Sequence, residues 1–166
     1  TFGDGALKQV YVRQSVLAIV ALTIGACRKV QAVARDVWLN DVHSRLNPTR
    51  VASVSSPQSV TELVDLIRAA KREGQAVSLS GGRHAMGGQQ FGTDAMHLSL
   101  SRMNKVLAFD QERGIVRVEA GIGWPKLIEH LHAAQVGAET VWTIAQKQTG
   151  ADELSVGGAL SANAHG

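Results

Sequence analysis

Residues 80–89 read Ser-Gly-Gly-Arg-His-Ala-Met-Gly-Gly-Gln, two glycine pairs separated by four residues. No regular element runs comfortably through such a segment, because glycine loses more backbone freedom on ordering than any other residue. The segment is therefore a loop. Its glycines let successive N–H groups converge on one point, the geometry an anion such as a pyrophosphate needs. It is neither a G-x-G-x-x-G turn opening a helix nor a Walker loop ending in Gly-Lys-Ser/Thr. By spacing alone it suits a phosphate cradle or a plain turn between strands. Two further stations concentrate small residues: Glu119-Ala120-Gly121-Ile122-Gly123-Trp124, and the stretch 149–166 that contains Ser155-Val156-Gly157-Gly158 and ends in Ala164-His165-Gly166. Small side chains there admit a ligand against the backbone, or close packing of one element on another.

The residues around these stations alternate between the two hydrophobic periods. Residues 30–47 begin with apolar side chains at Val30, Val33 and Val37 in helical spacing, and Asn47-Pro48 ends the segment. Residues 51–54 form a short strand candidate. Ser59 with Glu62 three positions on makes a capping box, opening a helix through Leu63, Leu66, Ile67 and Ala70 that stops at Gly74. Strands are expected at 75–79 and at 96–100, the latter alternating as a half-buried strand does. Residues 105–110 and 114–119 read as a hairpin, and Trp124-Pro125 opens a second helix. The tail holds Val141-Trp142-Thr143-Ile144, a polar link, and a Gly-, Ala- and Ser-rich end from Leu154 to Gly166. Strands and helices in mixed order predict an α+β fold of small mixed sheets flanked by helices.

Charge excludes one function class. The whole chain carries a net +3, but residues 1–47 hold six Lys/Arg against three Asp/Glu, and residues 48–166 hold eleven of each. With aromatics at 4% and the basic excess confined to the front, nucleic-acid binding has no support. The front itself reads as a leader over 1–27: Lys8 and Arg13, the apolar run VLAIVALTI at 16–24, then Gly-Ala-Cys. The Cys after Ile-Gly-Ala resembles a bacterial lipoprotein signal, although the run equally suits a buried helix. A leader implies export or membrane association; without it the expected location is cytoplasmic. Residues 28–47 are then a linker or helix. Cys27 is the only cysteine, so an intrachain disulfide and a thiolate metal cluster are excluded. No catalytic carboxylate pair, H-x-x-x-H spacing or G-x-S-x-G motif occurs, and no metal site is expected.

From residue 47 onward, "NPTRVASVSSP", the Ser59 helix, "SGGRHAMGG", "VEAGIGW" and "SVGGALSANAHG" follow one another in an order that resembles the PCMH-type FAD-binding domain of the vanillyl-alcohol oxidase superfamily, near the sugar-lactone and alditol oxidases. The resemblance covers 48–166 and, as the chain stops just after a glycine-rich stretch, implies a domain truncated at its C-terminal end. It implies FAD as cofactor, held at Ser80, Gly81, Gly82, Arg83, Ala85, Gly87 and Gly88, with His84 bonded covalently to the flavin. A second, cysteinyl link is not supported, because Cys27 lies far ahead of the matched segments. The resemblance also implies cofactor contacts at Gly121 and Gly123, at Gly157, Gly158 and Ser161, and at His165. The implied reaction is oxidation of an alcohol, sugar or lactone by hydride transfer to the flavin, with oxygen or another acceptor taking the electrons. Catalytic acid/base groups of that family lie on a later cap domain and have no counterpart here. The alternative is an inactive remnant, exported or tethered to a membrane. His97 is expected as a surface or sheet residue, Met86 and Trp124 as packing groups, and His43 without a function.

Overall fold

The structure, a computed structural model, describes residues 7–12, 37–147, 150 and 152–164. Its elements run β1 (Leu7–Val12), β2 (Val37–Leu39), β3 (Thr49–Val51), β4 (Ser53–Ser55), α1 (Val60–Arg72), β5 (Val77–Ser80), β6 (Met96–Ser99), a 3-10 turn (Leu100–Arg102), β7 (Val106–Asp110), β8 (Ile115–Val118), α2 (Trp124–Ala134), β9 (Val141–Ile144) and α3 (Val156–Ser161). They form a parallel sheet in the order β4-β6-β5, a mixed sheet β7-β8-β1-β9, and the antiparallel pair β2-β3. This is the mixed α+β architecture expected, with small sheets flanked by helices.

Local chemistry explains the better-read elements. Ser59 Oγ accepts from the Glu62 amide at 3.2 Å, while Glu62 Oε2 accepts from the Gln58 amide at 2.9 Å, one residue short of a reciprocal capping box. Leu66 and Ala70 are buried on the sheet side of α1, but Ile67 is 45% exposed, so the apolar stripe is narrower than its spacing predicts. Ser59→Ala should lower stability by about 1 kcal/mol. A urea midpoint indistinguishable from wild type would show that the cap contributes nothing. In α2, Trp124, Leu127 and Leu131 are buried, and they pack with Val116, Ile122, Val156 and Ala159 into the larger core. Burying each leucine contributes roughly 2 kcal/mol. Gln135 then ties α2 to β9: its Nε2 donates to the carbonyls of Leu131 and Trp142, and its Oε1 accepts from the Trp142 amide.

Several expectations need correction. The helix read over 30–47 is absent at 37–47, where β2 gives way to a loop. Asp41 competes with helical hydrogen bonding there by taking the amides of His43, Ser44 and Arg45 onto its own carboxylate, and Arg45 adopts a φ of 53°. The strand expected at 51–54 is two strands, β3 pairing with β2 and β4 with β6. β6 is not half-buried: Met96, His97 and Leu98 are all buried, because β6 is the central strand of its sheet. A short helix, α3, forms where only a small-residue stretch was read. Leu7–Val12, inside the segment read as a leader, is a strand parallel to β8 and β9. The apolar run 16–24 and Cys27 lie outside the described residues. Among the described residues, no helix is long and apolar enough to cross a membrane.

Candidate functional site

The first glycine station leaves the end of β5, and β6 braces its starting point. His97 Nδ1 lies 3.0 Å from Ser78 Oγ and its Nε2 lies 2.9 Å from Ser80 Oγ, so both ring nitrogens have partners on the neighbouring strand. Burial, reinforced by the positive charge of Arg83, lowers the His97 pKa to about 4. The ring is therefore neutral at pH 7 and anchors Ser80, the first residue of the loop. His97 is a sheet residue, but it is 1% exposed and not on the surface.

The three stations converge by packing and backbone hydrogen bonds. Ala120 O accepts from the Gly157 amide at 2.9 Å and Ile122 O from the Val156 amide at 2.8 Å, which lays the second station along the third. Ser155 caps α3 by accepting from the Gly158 amide, and a Cβ on Gly81 would fall 2.0 Å from Ser155 Oγ. The first station thus lies directly on the third. A Cβ on Gly121 would fall 1.8 Å from the Leu100 carbonyl oxygen. These two glycines are small because another part of the protein occupies the space.

The stations enclose a cavity of about 980 Å³. Of the sequence-read residues, Ser80, Gly81, Gly82, Arg83, His84 and Ala85 line it from the first station. Gly157, Gly158 and Ser161 line it from the third. Gly87 and Gly88 do not; a Cβ on Gly88 would meet Asn47 at 3.1 Å, on the side facing the 40–47 loop. Gly121 and Gly123 also stay off the lining, and from the second station Ala120 reaches it. Gly123 instead occupies the N-cap of α2. His165 lies outside the described residues. Met86 is 57% exposed and faces the cavity, whereas Trp124 is a core residue. Arg83 is the only Lys or Arg on the lining among the described residues, and Glu153 places a carboxylate there too.

Sequence reasoning missed two lining residues of consequence. Gln90 follows the second glycine pair, and neither its Oε1 nor its Nε2 has a partner among the described residues although both atoms are buried. His43 comes from the loop after β2: its Nε2 lies 2.7 Å from Nδ1 of His84, with the rings tilted by 50°. No local signal marks His43, but its neighbour Asp41 belongs to a residue type that commonly turns a loop by hydrogen bonding. The Asp41 carboxyl is buried, which would raise its pKa, yet hydrogen bonds from Ser44 Oγ and the amides of His43, Ser44 and Arg45 outweigh burial and lower it to about 2. Because the folded value is depressed, this anchor is fully present above pH 3.8 and is lost as the pH falls through about 2. Among the described residues, no group of three His, Cys, Asp or Glu side chains is placed to hold a metal.

A second hollow of about 830 Å³ runs along the outer face of α2 beside Ile128, His132 and Val136, and of the three stations only the third touches it, through Asp152.

Comparison with known proteins agrees with this geometry. A model of the FAD binding domain family matches residues 51–166, which include all three stations. Among solved structures, alkyldihydroxyacetonephosphate synthase in a P212121 crystal form superposes with a TM-score of 0.60 at 21% identity, covering 70% of this chain and 21% of that one. The same synthase in a P1 form gives 0.59 at 21% identity, covering 72% and 23%. The chain thus spans less than a quarter of the length of those proteins. No curated protein sequence matches. With all three glycine stations inside a match that spans more than half of its length, the chain belongs to the FAD binding domain family.

Proposed function

We propose that this chain is the FAD-binding portion of an oxidoreductase that oxidises an alcohol, sugar or lactone carbon by hydride transfer, with oxygen or another small acceptor taking the electrons. The observation that carries the reading is the cavity of about 980 Å³ with His84 on its wall. The residues present suit FAD. Its pyrophosphate needs N–H donors and positive charge, which the glycine loop and Arg83 supply. Its flat ring needs apolar walls, which Leu79, Met86 and Leu100 offer. Gln90 presents a buried donor and acceptor side by side, each without a partner among the described residues, and a heterocycle edge would satisfy both. When bound, the flavin supplies the hydride-accepting chemistry, and the protein binds, orients and shields it.

Within this reading His84 is the covalent attachment point. Its imidazole is carried on the loop that would wrap the pyrophosphate, and Gly82 lets the ring fold back closely: a Cβ there would fall 2.6 Å from His84 Cδ2. The test is acid precipitation of the purified full protein followed by flavin fluorescence of the denatured band. Wild type should carry acid-stable flavin and His84→Ala should lose it to background. Acid-stable flavin at the wild-type level in His84→Ala would remove His84 from the role. Anaerobic mixing with polyols and aldonolactones should bleach the oxidised flavin absorbance, and a failure of every such substrate would remove the alcohol-oxidation reading.

A further inference from the structure

The family match begins at residue 51, and the 40–47 loop ahead of it is nonetheless built onto the glycine loop. Val42 donates its amide to Arg83 O at 3.0 Å. Asn47 Nδ2 donates to Met86 O at 2.8 Å, and Ser44 Oγ lies 3.2 Å from the same oxygen. Asp41 makes the loop rigid by accepting from three of its amides and from Ser44 Oγ. Together these contacts grip the residues on both sides of His84 and deliver one imidazole, His43, to its Nδ1 at 2.7 Å.

A nitrogen–nitrogen contact this short requires one ring to bring the hydrogen and the other the lone pair. The two imidazoles therefore share one hydrogen between them. We propose that the 40–47 loop is a clasp whose His43 is the positioning residue of His84, holding it in one tautomer and accepting the proton it sheds on attachment. The attachment step rests on the covalent reading above. In its overall balance the His84 N–H and one C–H of the flavin 8-methyl group are replaced by a C–N bond. Dioxygen takes both hydrogens with two electrons and leaves as hydrogen peroxide. Attachment through Nε2 of His84 leaves the proton to be shed on Nδ1, and His43 Nε2, 2.7 Å away, is within hydrogen-bond reach to receive it.

The test starts from flavin-free full protein supplied with saturating FAD, so that occupancy is equal, and follows acid-precipitable flavin with time. His43→Ala should slow attachment roughly 100-fold, the scale of one positioned proton acceptor. Added imidazole should restore much of that loss. His43→Gln should stay slow, because an amide hydrogen-bonds but cannot take up the proton. Attachment at the wild-type rate in either variant overturns the proposal, and so does a slow His43→Ala that imidazole leaves unchanged. If wild type holds no acid-stable flavin, the covalent reading fails by itself. The clasp is then decided by ring ¹⁵N NMR of the flavin-free protein. His84 should show one tautomer in wild type and a mixture in His43→Ala, and identical spectra in the two overturn the pairing.

Discussion

Gly121→Ala should be the most damaging single methyl addition to this chain. The new Cβ would lie 1.8 Å from Leu100 O and 2.8 Å from Met103 O, both backbone atoms of the turn that follows β6. A flexible side chain could swing aside, but these carbonyls cannot: the Gly121 amide itself donates to Met103 O at 2.9 Å. Shifting the second station outward would pull Ala120 and Ile122 away from Gly157 and Val156, the bonds that hold α3 beside the cavity. We expect a loss of about 3 kcal/mol or more, at the upper end for overpacking. FAD retention should fall with it. Gly123→Ala provides the contrast two residues away. Its Cβ would make only an ordinary 3.7 Å contact with Pro125, and its φ of −80° suits any residue. That change should cost under about 1 kcal/mol, the scale of a weakened N-cap. Denaturant titration of both variants checks the pair, and equal midpoints would refute the packing account.

The second large effect is acid sensitivity from His97. Its pKa is about 4 in the folded protein against 6.5 for the ordinary side chain. The depressed value means that the unfolded chain takes up a proton before the folded one does. Stability should therefore fall as the pH drops through 6.5, at about 1.4 kcal/mol per pH unit, and the loss should level off near pH 4. The total is about 3 kcal/mol. Asp41 does not confuse the window, since its own contribution is lost only between pH 3.8 and about 2. His97→Asn should be less stable than wild type at pH 7, because Ser78 and Ser80 lose a shared partner, but it should flatten the decline between pH 6.5 and 4. Urea midpoints at pH 7, 5.5 and 4.5 decide the matter: a decline of the same size in both proteins would mean that other groups are responsible. As His97 holds Ser80, weaker FAD binding should accompany the acid loss.

Where the sequence reading succeeded, the responsible interactions span only a few residues. Ser59 reaches the Glu62 amide three residues away, and the 105–119 hairpin closes through Gly114 at a φ of 63°. Where the reading failed, a distant partner made the difference. His97 sits in an alternating pattern that suggests an exposed face, yet its ring is buried, with the Phe91 ring 5.2 Å away and the hydroxyls of Ser78 and Ser80 on its two nitrogens. Residues 37–47 carry no signal against a helix strong enough to outweigh their apolar spacing. Asp41, together with contacts to a loop about 40 residues downstream, decides otherwise.

The glycine stations divide along the same line. By itself the sequence determined that three small-residue segments exist, that they follow in an order matching an FAD site, and that 80–89 is a loop, since glycine's backbone freedom is a local property. Only the tertiary structure decided what each glycine is for. Gly82 and Gly158 face the cavity, while Gly121 is spent on a carbonyl contact and Gly123 on a helix cap. It also brought His43 to His84 across 41 residues. Such assignments depend on which surfaces meet when the chain closes on itself, and no local preference of a residue specifies its partner at that distance.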